Sequence, residues 1–293
     1  MKVIFDRSSF HGDRFDLLTS SPLRRLAAQR RIEVFHTEVF LDELAQSYGS
    51  PRAAGSWREH LKYAVQICNG GIFLPAEEIW RSEIVEGRGP LARRLLPLQE
   101  TSEHHSFVGF QGVLLRAAET GDLSKEWAES RREREDSRRK KTNQHALFRG
   151  AREGVAAARR EGKLRGRLRD YPFSEYLRTE FVRNGRALMR IVDKTRSTEL
   201  ADLWETNPEG FPYYTAFVEG FVYSQYYAAL EHNRRLDGNE QADYQQLAHL
   251  IWSDLVVSDD EGFFRSAFDT LWRPRGKRME SAASFVELLK TLT

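Results

Sequence analysis

Four acidic residues occupy positions where an α/β chain can put carboxylates to work. Asp6 follows the apolar run Lys2-Val3-Ile4-Phe5, and Asp260 follows Leu255-Val256-Val257-Ser258 with Asp259 between. Glu43 lies in Phe40-Leu41-Asp42-Glu43-Leu44, and Asp243 begins the segment Asp243-Tyr244-Gln245-Gln246-Leu247. Open parallel sheets gather their functional groups just beyond the carboxyl ends of strands, where the first and last of these acids fall. Carboxylates brought together raise one another's pKa unless a cation lies between them, and hard oxygen donors select Mg2+ or Mn2+. Such an ion lowers the pKa of a bound water and stabilises charge on a phosphoryl oxygen. The chemistry expected of the set is phosphodiester hydrolysis by a metal-activated water.

Each acid also has a plainer use. Asp6 can cap the turn after its strand, and either Asp259 or Asp260 can cap the helix that begins near Glu261. Asp243 can serve a helix dipole, while Glu43 competes with Glu38 and Asp42 as a helix-surface acid. Asp259 therefore stays beside Asp6, Glu43, Asp243 and Asp260 among the metal-ligand candidates. Glu83 is read as a surface or helix-packing acid, and His104 and His105 as surface residues, since neighbouring histidines cannot easily chelate one ion.

The elements that must position these acids alternate at the two ends of the chain. Lys2 to Asp6 reads as a strand, Leu23 to Gln29 as a short helix, Ile32 to His36 as a second strand and Glu38 to Ala45 as a helix. After Gly238, Asp243 to Trp252 reads as a helix, Asp254 to Ser258 as a strand and Ser281 to Leu292 as the last helix. Between them the pattern is helical throughout: Trp57 to Cys68, Pro75 to Val85, the charged stretch Ser124 to Arg169, Phe173 to Asp193 and Tyr213 to Asn233. The expected architecture is an α/β domain built from residues 1–50 and 238–293, interrupted by a mostly α-helical insertion over 51–237.

Charge is distributed unevenly along the 293 residues. The formal net charge is only +2, yet Arg131 to Arg169 holds 15 Lys/Arg against 5 Asp/Glu. Basic residues there, Arg138, Arg139, Lys140 and Lys141 foremost, are expected to track a phosphate backbone, which would make binding strongly salt-dependent. Phe217 and Phe221, in the densest aromatic segment, are expected to pack the joint between lobes rather than stack on bases.

Other chemistries lack their residues. One cysteine, Cys68, excludes an internal disulfide and a thiolate-rich zinc cluster. There is no Gly-x-x-x-x-Gly-Lys-Ser/Thr loop and no Gly-x-Ser-x-Gly turn. Ser8 stands where a haloacid-dehalogenase-like phosphatase needs a second Asp. The apolar runs are too short to cross a membrane, and the opening MKVIFDRSSF has no apolar signal core, so a cytoplasmic protein is expected.

The ordered set Asp6, Glu43, Asp243 and Asp260, each in its strand or helix context, resembles the PIN-domain nucleases. In that family the fourth acid follows a Val-Thr or Val-Ser pair after one intervening residue, which favours Asp260 over Asp259. The resemblance covers residues 1–50 and 238–293 and implies a three-layer α/β/α fold with a central parallel sheet. It also implies Mg2+ or Mn2+ on the four acids and single-stranded RNA as substrate, in a toxin, a processing enzyme or a defence effector. Ser8 and Ser258 are expected on the substrate side, and a homodimer and a regulatory protein partner are further expectations. The chain departs from the family where Arg7, rather than Thr or Ser, follows the first Asp, and in its long insertion. The alternatives are a non-catalytic PIN-fold binding or scaffold protein, in which Arg7 takes the cation's place, and a nuclease directed to DNA.

Overall fold

The structure, a computed structural model, describes residues 1–46, 48, 56–74, 76–86, 92–93, 116–124, 160, 172–230 and 240–293. Its centre is a six-stranded sheet in the order β4-β3-β2-β1-β5-β6. The strands are β1 (Lys2–Phe5), β2 (Glu33–His36), β3 (Gly71–Phe73), β4 (Ala92–Arg93), β5 (Leu255–Val257) and β6 (Arg278–Glu280). All neighbours run parallel except β4, which is antiparallel to β3. In register, Ile4 lies opposite Phe35 of β2 on one side and Val256 of β5 on the other. Val3, Ile4 and Phe5 are all fully buried, as are Leu255, Val256 and Val257. Central strands covered on both faces have no solvent side to alternate with, which explains their unbroken apolar runs.

Helices supply that cover, giving the α/β/α arrangement. They are α1 (Asp13–Ser20), α2 (Leu23–Ala28), α3 (Glu38–Gln46), α4 (Ser56–Ile67), α5 (Ala76–Glu86), α6 (Phe173–Val192), α7 (Ser197–Thr206), α8 (Pro212–Leu230), α9 (Glu240–Ala248), α10 (Phe263–Leu271) and α11 (Ala282–Thr291). The long α8 packs against α5, α6, α9 and α10, so the helical part rests on the sheet domain through several elements. Phe217 does sit in this joint, edge-on to Trp80 of α5 and Tyr244 of α9, and Phe221 meets the same Tyr244. One continuous hydrophobic cluster runs from Val3 and Phe285 to Trp204 and Tyr214. No helix among the described residues is long and apolar enough to cross a membrane.

One expectation needs correction. Residues 51–237 are not helical throughout, because β3 and β4 lie within them and complete the sheet. The run Ile72-Phe73-Leu74 is too short to reveal a period, and a strand buried on both faces has none to show. The edge strand β6 and the polar-faced helices α1 and α7 likewise gave no clear apolar signal.

Candidate active site

β1 is the strand at which chain order reverses: β2 lies on one side of it and the much later β5 on the other. The carboxyl ends of β1 and β5 are therefore the natural mouth of a crevice. The Asp6 amide donates to the Val257 carbonyl at 2.9 Å, carrying the pairing one residue past the end of β1. Thr37 caps α3 with its hydroxyl, which accepts from the Phe40 amide at 3.1 Å, so the helix bearing Glu43 starts immediately beyond the end of β2. α9 reaches the same end of β1, where the Gln246 amide donates to the Phe5 carbonyl at 2.7 Å.

Asp6 is only 6% exposed. One carboxylate oxygen, Oδ2, accepts from the Ser8 amide at 3.1 Å, from the Ser258 hydroxyl at 2.9 Å and from the Ser8 hydroxyl. The two serines are themselves held from behind. Ser8 Oγ accepts from the Asp259 amide at 2.9 Å, and Ser258 Oγ accepts from the Asp260 amide at 3.1 Å. Two chains of N–H to O–H to carboxylate thus converge on a single oxygen. Ser8 and Ser258, expected on the substrate side, have their hydroxyl protons engaged on Asp6. The same contacts make Asp6 the cap of the turn Arg7–Phe10, so its capping and rim roles coexist.

The electrostatics join three of the acids. Burial raises the Asp6 carboxyl against the lowering effect of its hydrogen bonds, and the Asp260 charge adds to the rise. Glu43 is pushed up to about 7, first by burial and next by Asp6, with Asp42 and Asp260 adding and Arg7 opposing. No hydrogen bond figures among these influences on Glu43. Asp260 accepts the Gly262 amide on Oδ1 at 2.7 Å and so shapes the turn into α10 while facing the other acids electrostatically.

Asp259 serves a different element. Its Oδ2 accepts the Ala282 amide at 3.1 Å at the start of α11, and Oδ1 lies 3.7 Å from Arg14 Nε. Asp260, and not Asp259, is among the charges that raise Asp6 and Glu43. Asp243 is half-buried on α9, one turn before Gln246 and on the same side of that helix. Glu83, read as a surface or helix-packing acid, is not on the surface but buried at the N-terminus of α8, where it takes the Tyr213 and Tyr214 amides at 2.9 Å each. The basic residues Arg138, Arg139, Lys140 and Lys141, and the pair His104 and His105, lie outside the described residues.

Sequence reasoning missed Gln246 and Arg14. Arg14 donates to the Ser8 carbonyl at 3.1 Å as well as meeting Asp259. Gln246 is 1% exposed and bonded across most of the chain length, a contact that no local pattern announces.

The donors are of the type a hard divalent cation takes, oxygen alone, each costly to ionise beside the others. Asp6 has one oxygen, Oδ2, fixed by three hydrogen bonds, and Oδ1 lies outside that network. Among the described residues, no three His, Cys, Asp or Glu side chains already stand close enough to enclose a metal ion, so the coupling of Asp6, Glu43 and Asp260 acts at longer range than shared coordination.

No protein-family model, curated protein or solved structure matches the chain. What favours chemistry at this rim is its own arrangement: a buried, hydroxyl-braced carboxylate at the switch point, electrostatically coupled to two more.

Proposed function

We propose that the chain is a PIN-like nuclease that uses Mg2+ or Mn2+ to hydrolyse phosphodiester bonds, with single-stranded RNA cut internally as the substrate. The observation that carries this reading is Asp6, buried at the end of β1 and coupled to Glu43 and Asp260. Asp6 through Oδ1, Glu43 and Asp260 do not already enclose an ion and would have to close on the cation to hold it, with Asp243 as the fourth acid from α9. When bound, the ion supplies an activated water and a counter-charge for the phosphoryl oxygen. The chain's part is to present the oxygens: the two serine relays fix the orientation of Asp6, and the short loops after β1, β2 and β5 bring three acids to one rim. Glu43 exchanges a proton near neutral pH, so its carboxylate becomes available over the range in which a cellular enzyme works.

The test is direct. Wild-type protein should bind Mn2+ and cut single-stranded RNA, with cleavage lost on chelation. Asp6→Asn should lower the rate by about 1,000-fold or more without lowering Tm, since the amide keeps an oxygen for the serine hydroxyls.

A second reading is favoured by Arg7, whose charge acts on Glu43 against the neighbouring acids. In it the chain is a PIN-fold nucleic-acid-binding or scaffold protein, with the guanidinium standing where a cation would. Absence of both Mn2+ binding and cleavage, on matched RNA and DNA oligonucleotides, would move the assignment there. Cleavage confined to DNA would keep the enzyme and change its substrate.

A further inference from the structure

Beside the N-terminus of α8, two buried side chains each end in a polar atom that no group among the described residues answers. Tyr213, the second residue of α8, is fully buried, and its hydroxyl has no hydrogen-bond partner there. His249 opens the single turn His249–Ile251 that leads from α9 towards β5; it is 3% exposed, and its Nε2 is likewise unpartnered. The two rings lie edge to face with centroids 5.0 Å apart. Phe73 at the end of β3, 4.8 Å from the His249 ring, and Trp252, stacked on Tyr213 at 5.2 Å, pack around the pair with further ring surface. His249 Nδ1 meets the Gln245 carbonyl at 3.0 Å, and a carbonyl only accepts, so Nδ1 carries the ring's proton. Burial keeps the ring neutral, pushing it down to about 4, so Nε2 is a lone-pair acceptor. The Tyr213 hydroxyl, raised by burial and then by the charges of Glu83 and Glu38, keeps its proton and is a donor.

From this geometry we infer that Tyr213 and His249 form an internal binding site for one water molecule, which accepts from the Tyr213 hydroxyl and donates to His249 Nε2. A donor and an acceptor on rings in contact, yet not bonded to each other, are what a single bridging molecule satisfies. Left dry, each would carry the full desolvation penalty of a buried polar group, and folded interiors seldom leave even one such group unmet. A buried water needs roughly two to four polar partners, and this pair supplies two of them. Rings 5.0 Å apart touch, so whatever joins their polar ends is small. An anion is repelled by Glu83 and Glu38, whose charges already act on the Tyr213 hydroxyl. The water would tie α8 to the turn that feeds β5. It would add to the ion pair of Glu219 on α8 with Arg275, 2.7 Å apart, a second polar link between the insertion and the sheet domain.

Two experiments on the full chain test this. The first is a crystal structure of the wild type at a resolution that shows ordered water. Density for a water within about 3.2 Å of both Tyr213 Oη and His249 Nε2 is the expected result. No density there, or a direct bond between the two side chains, would overturn the inference. The second is the thermal stability of Tyr213→Phe, which removes only the hydroxyl oxygen. With a bridging water the variant breaks the link and Tm should fall by about 2 °C. Were the hydroxyl without a partner, its removal would delete a buried unmet group, and an unchanged or higher Tm would overturn the inference. Combined with His249→Leu, the two losses should add to less than their sum, because either one breaks the same bridge. The Nδ1 bond that His249→Leu also loses cancels in that cycle, so strict additivity would count against a shared water. If His249→Leu does not fold, the crystal structure and the direction of the Tyr213→Phe shift still decide.

Discussion

Glu43, half-buried, and Glu83, buried, are both acids pushed up to about 7, yet their surroundings have little else in common. Glu83 is 2% exposed and answers two backbone donors, the Tyr213 and Tyr214 amides that open α8. Its two oxygens are used, one for each amide, and the positive end of a 19-residue helix faces them. Glu43 has no such partners among the influences on it, and the charges of Asp6, Asp42 and Asp260 raise it further. A raised carboxyl is thus no guide to chemistry by itself. What separates the two is what meets the ionised form: at Glu83 two backbone amides donate to it, whereas at Glu43 neighbouring acids work against it and the Arg7 charge opposes them.

The comparison breaks most visibly at Glu83. Glu83→Ala orphans two buried N–H groups at the start of α8 and should cost about 3 kcal/mol of unfolding free energy, read by chemical denaturation. Mn2+ affinity, measured on the folded fraction, should be unchanged. A loss of affinity comparable to that expected of Glu43→Gln would mean that the two sites are coupled and that Glu83 has more than a structural role. Glu83→Gln, which keeps one acceptor, should cost roughly half as much by the same reasoning.

How much of this was legible in the sequence differs between the same two places. The rim acids could be found because short apolar runs ending in Asp mark strand ends, and Asp6 and Asp260 both occur after such runs. The helix from Glu38 was readable from apolar spacing, and the one read from Asp243 to Trp252 runs from Glu240 to Ala248 in the structure. The serine relays were not readable, since a hydroxyl next to an acid is equally suited to substrate, and only the packing of β1 beside β5 turns Ser8 and Ser258 onto one oxygen. Glu83 in Ile79-Trp80-Arg81-Ser82-Glu83 looks like any helix acid until the N-terminus of α8, about 130 residues later, is laid over it. The third strand was missed for a related reason: Gly71–Phe73 is legible as a strand only once β2 is beside it. Long-range pairing decided each of these cases, and local pattern decided the others.

The smaller effects concern pH and sharpen the contrast. Both carboxyls titrate higher in the folded chain than the ordinary value of 4.5, so the folded state holds protons that the unfolded chain has released. Their stabilising contribution is full below about pH 4.5 and is lost as pH rises through about 7. Stability should therefore fall between roughly pH 5 and 8, and the loss is about 3 kcal/mol for the well-buried Glu83 and about half that for the partly exposed Glu43. Glu43→Gln and Glu83→Gln should each remove their own share of that slope, measured as unfolding free energy at a series of pH values.

Saturating Mn2+ should divide the two shares. A cation at the rim stabilises the ionised form of Glu43 and draws its carboxyl down, so the Glu43 share of the slope should vanish and Mn2+ binding should release protons between about pH 6 and 8. The Glu83 share should persist, because its compensation comes from the α8 backbone and not from an ion. Wild type in Mn2+ should then show the same pH dependence of stability as Glu43→Gln without it. If Mn2+ left the wild-type slope unchanged, Glu43 would not be part of the cation site, and the rim would have to hold the ion with Asp6, Asp260 and Asp243 alone.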